Sequence, residues 1–319
     1  MQWRVMKEST ATNKSKQHLR PLNGLLLLDK PIGLSSNSAL QIVKRLYKAN
    51  KAGHTGSLDP LASGMLPICF GEATKFSQFL LDADKTYQVT ARLGIKTTTA
   101  DAEGEIVEER PIPEITAAKL NEVLKKFTGE ILQTPSMYSA LKHQGRPLYE
   151  YARKGINLER AARKVTIHEI KLLAQDEKTF SLYVACSKGT YIRNLVEDIG
   201  ESLNCGAHVT TLSRLSVAGF ENQQMHLLAD IEALDKQNDL NLLDQYLLPV
   251  ENILKHLPLV KVSEAAAYYL IRGQAIFVPY APDLKGEVRL MFIDGKFLGV
   301  GEVLKDGKII AKRLISQNT

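Results

Sequence analysis

Residues 53–67 read GHTGSLDPLASGMLP, and this run interrupts a chain that otherwise alternates between helical and strand patterns. Residues 53–64 of this run hold three glycines, one proline and several polar residues, which predict a loop, because glycine alone adopts positive φ freely and proline cannot continue regular structure. Asp59 precedes Pro60, which pushes the aspartate away from helical angles and stiffens the backbone behind it. A lone carboxylate on such a loop can be aimed at a substrate, although an Asp-Pro pair is also typical of an ordinary turn.

Two common catalytic loops are excluded by the same residues. The run lacks the Gly-Lys-Ser/Thr ending of a phosphate-binding loop and the G-x-S-x-G of a nucleophile elbow. His54, taken alone, is more typical of a surface or capping histidine than of a functional one. The residues themselves therefore leave both a turn and a catalytic loop open.

The elements on either side of the loop mix helices with strands. Before it, residues 24–29 predict a short buried strand, and Ser35, Ser36 or Asn37 caps a helix that continues to about Tyr47. After it, we predict helices over 73–80, 116–127 and 189–203, strands over 86–93, 165–173, 180–187 and 209–217, and a polar loop over 97–105. These elements follow no regular βαβ period, which predicts an α+β fold with a central mixed or antiparallel sheet.

Composition limits the number of domains, the kind of partner and the cellular compartment that the sequence allows. A chain of 319 residues, 44 % of them hydrophobic, suffices for one large domain or a larger and a smaller one. The net charge of +6 favours an anionic partner such as nucleic acid. Three cysteines without C-x-x-C spacing predict inert thiols in a reducing compartment, with Cys186 in the core. Residues 1–20 form a polar basic tail, and no apolar run suits a secretion signal or a membrane span, so we expect a cytoplasmic protein.

The last part of the chain changes character. Residues 227–256 are helical and rich in Leu and Asp, and Ser263 starts a short helix that ends near Gly273. Two Asp-Gly pairs at 294–295 and 306–307, each between apolar runs, predict hairpins with type I′ turns. We therefore expect a small β-rich domain over 257–319 that follows a main domain over 21–250.

The loop at 53–67 resembles the central motif of the TruB family, the tRNA pseudouridine-55 synthases, without a gap. Five further segments resemble motifs of that family, occur in the family's order and cover about residues 22–220. They are GLLLLDKPIGLSS at 24–36, KTYQV at 85–89, the polar loop 97–104 with Asp101, SKGTYIR at 187–193 and AHVTTLSR at 207–214. The C-terminal stretch resembles, more loosely, the PUA-like domain of bacterial members. No motif residue departs from the family pattern.

The resemblance assigns roles to three residues of the chemistry. The essential aspartate of the family falls on Asp59, and the arginine of the late motif falls on Arg193, which would keep that carboxylate ionised and oriented. Tyr87 would stack on the uracil and accept the C5 proton. The reaction breaks the bond from ribose to N1, turns the base and rejoins it through C5, so the resemblance implies neither a metal nor a cofactor.

Further residues, among them Asp101 of the polar loop, would bind the substrate. Tyr191 would bond near the base or sugar, and Leu212 would close an apolar wall, although alone it reads as core. Lys30 and Lys75 would support the loop or meet phosphates, and otherwise read as surface lysines. His54 would fill the space that the extruded base leaves.

The partner implied is the T arm of tRNA. The basic, aromatic residues 133–155 resemble the mobile thumb-like element with which the family grips RNA, although a charged connector would look the same. We expect a monomer with no membrane contact, guide RNA or obligate protein partner.

Three other functions compete with this one. A non-catalytic RNA-binding protein needs no buried carboxylate. The catalytic subunit of a guide-RNA-directed synthase shares the core motifs but differs in the thumb-like stretch. A glycoside hydrolase usually needs a second carboxylate as acid and base.

Overall fold

The computed structural model describes residues 19–236, 239–279 and 284–316. A nine-stranded mixed sheet has the order β13-β1-β3-β12-β4-β11-β10-β7, and β2 also pairs with β3. The pairs β1–β13 and β3–β12 are parallel and the others antiparallel. The strands are β1 (Gly24–Lys30), β2 (Ala52–His54), β3 (Ala62–Phe70), β4 (Lys85–Leu93), β5 (Ile95–Thr97), β6 (Ile106–Glu109), β7 (Gly129–Gln133), β8 (Lys142–His143), β9 (Arg146–Pro147), β10 (Arg163–Gln175), β11 (Thr179–Cys186), β12 (Ala207–Val217), β13 (His226–Leu227), β14 (Leu259–Val262), β15 (Gly286–Phe292), β16 (Phe297–Val303) and β17 (Ile309–Leu314).

Helices begin at side chains that cap them. Ser35 caps the first helix by accepting the amide of Ser38 at 3.0 Å, and Thr116 caps the third by accepting the amide of Lys119. The helices are α1 (Ser36–Leu46), α2 (Ser77–Asp82), α3 (Ala117–Lys126), α4 (Leu148–Ala152), α5 (Ile192–Ser202), α6 (Leu228–Asp235), α7 (Leu240–Asp244) and α8 (Glu264–Ile271). The α+β class with a mixed sheet is therefore confirmed.

Strand β1 is buried on both faces of the sheet. Leu26 and Leu28 belong to a core with α1, α3 and α5, whereas Leu25 and Leu27 belong to a second core on the opposite face. This two-sided burial explains why β1 is an unbroken apolar run. The predicted strand is confirmed and extends to Lys30.

Three predicted boundaries need correction. The predicted helix over 73–80 is a 3-10 helix, Gly71–Phe76, followed by α2. The loop predicted over 53–64 spans only 55–61, because its ends pair in β2 and β3. The helix predicted to open at Gly189 begins at Ile192, because positive φ at Gly189 (80°) turns the chain beforehand.

The predicted C-terminal β-rich region is confirmed as a four-stranded sheet, β14-β15-β16-β17, packed with α8. Its turns are not type I′. Among the described residues only Gly295 and Gly307 have positive φ at these turns, so each is a type I turn followed by a left-handed glycine. A type I′ turn occurs instead at Gln144 and Gly145, between β8 and β9.

The two predicted domains share a core. Phe297 and Val300 of β16 pack with Phe76 and Met65, and the rings of Phe76 and Phe297 meet edge to face at 5.4 Å. Interior packing of this kind joins the C-terminal sheet to the main sheet as one body.

The predicted basic tail lies outside the described residues except for positions 19 and 20. Arg20 is part of the fold, since its guanidinium pairs with Asp244 at 2.7 Å. Cys69, Cys186 and Cys205 are free and buried, as predicted for Cys186. No helix within the described ranges is long and apolar enough to cross a membrane.

Candidate active site

Asp59 and Arg193 form the centre of the site. The Arg193 Nε lies 3.0 Å from the Asp59 Oδ2. The arginine side chain is only 6 % exposed, whereas the aspartate keeps 40 % of its side-chain surface open. The carboxylate of the pair is therefore accessible from solvent, whereas the guanidinium that contacts it is buried.

The remaining Arg193 donors are all directed at the protein. Nη1 donates to the Thr99 carbonyl at 2.8 Å and lies 3.3 Å from Asp101 Oδ2, and Nη2 donates to the Tyr138 carbonyl at 2.9 Å. One guanidinium thus joins the loop of Asp59, the polar loop 98–105 and the base of the predicted thumb. The fixed fork of an arginine suits this, since lysine offers only a point charge.

Asp101 is a buried member of this network. Its Oδ1 accepts from the Thr99 hydroxyl at 2.5 Å and from the Glu103 amide at 3.0 Å, which leaves Oδ2 for Arg193. Ala100 beside it has a φ of +58°, a conformation that L residues rarely adopt outside functional sites. Asp101 therefore anchors Arg193 in this geometry, and its role in substrate binding stays a prediction.

The groups around Asp59 shift its pKa in opposite directions. Burial within the cleft raises the pKa of Asp59, the Arg193 guanidinium lowers it, and the nearby Asp101 raises it again. Lys30, which has no exposed surface, acts on Asp59 from behind the loop, and burial lowers the pKa of Lys30 to about 8. The Lys30 ammonium donates to the carbonyls of Pro31 and Leu34, so it supports the loop from inside rather than meeting phosphates at the surface.

The loop that carries Asp59 is fixed by two side chains, Ser36 and Arg214, that the sequence did not assign to the site. The Ser36 hydroxyl donates to the Leu58 carbonyl at 3.0 Å and accepts the Leu58 amide at 2.7 Å. Arg214 donates through Nη2 to the Gly56 carbonyl at 3.1 Å. Alternation along β12 could have found Arg214, because it follows Leu212 by two residues and so shares its face of the sheet.

Tyr87 and Leu212 lie on adjacent strands, β4 and β12, and both are buried. In the register, Tyr87 pairs with Arg214 and Leu212 pairs with Val89. Burial raises the pKa of the Tyr87 phenol, and the Arg214 guanidinium beside it lowers the pKa in part. These strands provide an apolar wall with one phenol within electrostatic range of Asp59.

Tyr191 precedes helix α5 and is half-buried. The Gln133 side chain fixes its backbone, accepting the Tyr191 amide at 3.0 Å and donating to its carbonyl at 3.2 Å. The Arg163 guanidinium lies over the Tyr191 ring, 5.5 Å from its centroid. Tyr191 thus stands at the junction of α5 and the thumb, two residues before Arg193.

His54 lies next to the Asp59 loop, whereas Lys75 does not. His54 ends β2 directly before the loop, and its buried Nδ1 has no hydrogen-bond partner among the described residues. Lys75 is not brought to the site: its ammonium pairs with Glu72 at 2.7 Å and donates to Leu314 and Ser316 near the chain's end. The geometry therefore gives no support to Lys75 as a substrate-binding residue.

The predicted thumb is a small hairpin and a short helix rather than a featureless connector. β8 and β9 carry exposed Lys142, His143 and Arg146, and α4 follows with Tyr149 beneath Arg153. A cavity of about 490 Å³ separates the thumb base from the loop 97–100 and helix α5. The base of the thumb is joined to the Asp59 site through the Tyr138 carbonyl, which accepts a hydrogen bond from Arg193.

Comparison with known proteins places this geometry in a class. Three family models match consecutive parts of the chain: TruB family pseudouridylate synthase, N-terminal domain, over 44–192; tRNA pseudouridylate synthase B C-terminal domain over 193–255; and pseudouridine synthase II TruB, C-terminal, over 258–315. A chain in the crystal structure of a Cbf5-Nop10-Gar1 complex superposes with a TM-score of 0.71 at 24 % identity, covering 98 % of this chain and 92 % of that one. The fold is that of a pseudouridine synthase.

Relatives of higher sequence identity show to which family of pseudouridine synthases the chain belongs. The tRNA pseudouridine synthase B of Coxiella burnetii (strain Dugway 5J108-111) is 56 % identical over 309 residues, which cover 97 % of this chain and 99 % of that protein. The tRNA pseudouridine synthase B of Tolumonas auensis is 54 % identical over 303 residues, covering 93 % of each chain. The chain belongs to the TruB family and is an enzyme of the pseudouridine synthase class.

Proposed function

We propose that this chain converts uridine 55 in the T loop of tRNA to pseudouridine, with Asp59 as the catalytic carboxylate. The observation that carries the proposal is the ion pair between the open Asp59 and the buried Arg193, at the positions that match the family's motifs. Relatives that are 54–56 % identical over nearly the whole chain bear the name tRNA pseudouridine synthase B, which supports tRNA as the substrate.

The reaction starts at the bond between C1′ and N1, which breaks with its electron pair left on the base. The uracil then turns within the pocket, C5 bonds to C1′, the C5 proton leaves, and N1 takes up a proton. Asp59 can begin this sequence by attacking C1′, by adding to C6 or by removing the C2′ proton. Each route needs an ionised carboxylate, which Arg193 favours against the effect of burial.

Tyr87 stacks on the uracil and accepts the C5 proton in this proposal. Tyr87 can accept that proton only as the phenolate, and burial raises the pKa of the Tyr87 phenol, which opposes ionisation. The neighbouring Arg214 offsets part of that effect by stabilising the phenolate. Leu212 closes the apolar wall, and Tyr191 bonds near the base or sugar.

The tRNA arm is held by the thumb. Its basic side chains and the ring of Tyr149 are exposed, as RNA binding through phosphates and stacking requires. Flipping uridine out of the stack costs a few kcal/mol, and His54 fills the vacated space to offset that cost. The PUA-like sheet over 257–319 adds RNA contacts, and the enzyme acts as a monomer without guide RNA.

The test uses a tRNA transcript with tritium at uridine C5, incubated with the natural sequence, Asp59→Asn and, as a matched control, Asp230→Asn on the exposed surface of α6. We expect release by the natural sequence and the control and none by Asp59→Asn. A transcript with cytidine at position 55 should give no release if the position is correct. Tight tRNA binding without release by the natural sequence would leave only the RNA-binding function.

A further inference from the structure

The loop that carries Asp59 forms few backbone–backbone hydrogen bonds. Across residues 55–61, the Thr55 amide donates to Pro67, the Pro60 carbonyl accepts from Gly33, and the Asp59 carbonyl accepts from the Ala62 amide. None of these bonds involves the peptide groups of Gly56 or Leu58. The segment directly before Asp59 must therefore be fixed by side chains.

Ser36 fixes the first of these points. Its hydroxyl is 3 % exposed and bonds both polar groups of Leu58, the residue adjacent to Asp59. Because the neighbouring Ser35 caps helix α1, the Ser36 hydroxyl is left for the loop. One rigid helix end thus sets the orientation of the peptide that leads into Asp59.

Arg214 fixes the second point from the opposite side. Its side chain is 1 % exposed, donates through Nε to the Met65 carbonyl at 2.6 Å and through Nη2 to Gly56, and has no carboxylate within 4.0 Å in the described part of the chain. Burying a guanidinium without a counter-charge is costly, so its use on backbone carbonyls calls for a specific role. The same guanidinium lies beside the Tyr87 phenol.

From this geometry we infer that Ser36 and Arg214 are positioning residues: together they set the place of Asp59 relative to Tyr87 without touching the RNA. The Ser36 hydroxyl and the Nε and Nη2 of Arg214 bond to backbone groups of the protein. Ser36 thereby holds Leu58 and Arg214 holds Gly56, both of which precede Asp59 in the loop. The inference rests on the proposed function. It separates the two residues from Arg193, which contacts the carboxylate itself.

The test compares Ser36→Ala and Arg214→Lys with the natural sequence in three measurements: the single-turnover rate of tritium release at saturating enzyme, the dissociation constant for tRNA, and the thermal midpoint. We expect the rate to fall at least tenfold in each variant while the dissociation constant changes less than twofold. Ser36→Thr, which keeps the hydroxyl, should recover most of the lost rate. Ser38→Ala is the matched control, because that exposed hydroxyl on the same helix bonds, among the described residues, only to the Ser35 hydroxyl.

A purely structural role gives a different result. If Ser36→Ala and Arg214→Lys lower the thermal midpoint but react at the natural rate well below it, the positioning role is wrong. Arg214→Lys can fail to fold, and Ser36→Ala, which removes one oxygen, then decides alone. No release by the natural sequence would defeat the proposed function as well, whereas normal release by both variants defeats only this inference.

Discussion

Replacing Arg193 by lysine keeps the positive charge and removes the fork that spreads it. The guanidinium contacts Asp59 at 3.0 Å, Asp101 at 3.3 Å, and the carbonyls of Thr99 at 2.8 Å and Tyr138 at 2.9 Å. A lysine ammonium has three donors on a single atom and cannot reach all four acceptors from the same helix position. Arg193→Lys therefore leaves at least one buried acceptor without its partner.

The expected cost follows from the kind of bond that is lost. A hydrogen bond that involves a charged group contributes about 1.5–3 kcal/mol, which corresponds to about 10- to 150-fold in rate if the bond to Asp59 is the one broken. Thermodynamic stability should fall by about 1–3 kcal/mol for the orphaned acceptor. The assays are single-turnover tritium release from tRNA and urea unfolding followed by circular dichroism.

Arg92→Lys is the matched control, since that arginine is exposed at the far end of β4 from Tyr87. We expect the control to retain natural rate and stability. A rate for Arg193→Lys within threefold of the natural one would refute the reasoning, because it would show that charge alone suffices and that the fork geometry has no catalytic use.

Three further predictions concern charge, backbone and core. The release rate should decline as the pH rises through about 8, because Lys30 then loses the proton whose positive charge acts on Asp59. Lys30→Met should lack this decline. If the pH profile of Lys30→Met equals that of the natural sequence, Lys30 is not the source of the decline. Gly64→Ala should destabilise the fold by about 1–3 kcal/mol in urea unfolding, because φ is +98° and a Cβ would lie 2.2 Å from the Arg214 carbonyl; equal midpoints would show that β3 can shift freely. Phe180→Ala should cost about 3–5 kcal/mol in the same assay, because the ring, carried by β11, is fully buried in the larger core of the main sheet. A loss below about 1 kcal/mol would mean that the core refills the space.

Local patterns predicted most of the elements because their causes lie within a few residues. The apolar run of β1, the cap at Thr116 and the paired strands β10 and β11 are confirmed. The Asp-Gly turns were predicted correctly in place and wrongly in type, because aspartate tolerates but does not require positive φ. The turn at Gln144 and Gly145 shows that a type I′ turn can form with glycine at its second central position, even though glutamine, at the first, rarely adopts positive φ.

The site was harder to predict where its contacts join distant parts of the chain. Asp59 and Arg193 are 134 residues apart, and their pairing came from the family resemblance, not from spacing. Ser36 was predicted only as one of three possible helix caps, and Arg214 only as a residue within the strand predicted over 209–217. The assignment of Lys75 relied on its position in sequence, whereas the fold turns its side chain toward the C-terminal sheet.

The core shared by both ends of the chain affects how the protein is made. Phe297 and Val300 complete the apolar layer under Met65 and Phe76, so that layer stays uncovered on a growing polypeptide until the last strands leave the ribosome. All residues of the Asp59 site are synthesised well before that moment. Exposed apolar layers attract chaperones and proteases. A prematurely terminated chain that holds every residue of the Asp59 site would therefore expose this apolar layer to chaperones and proteases.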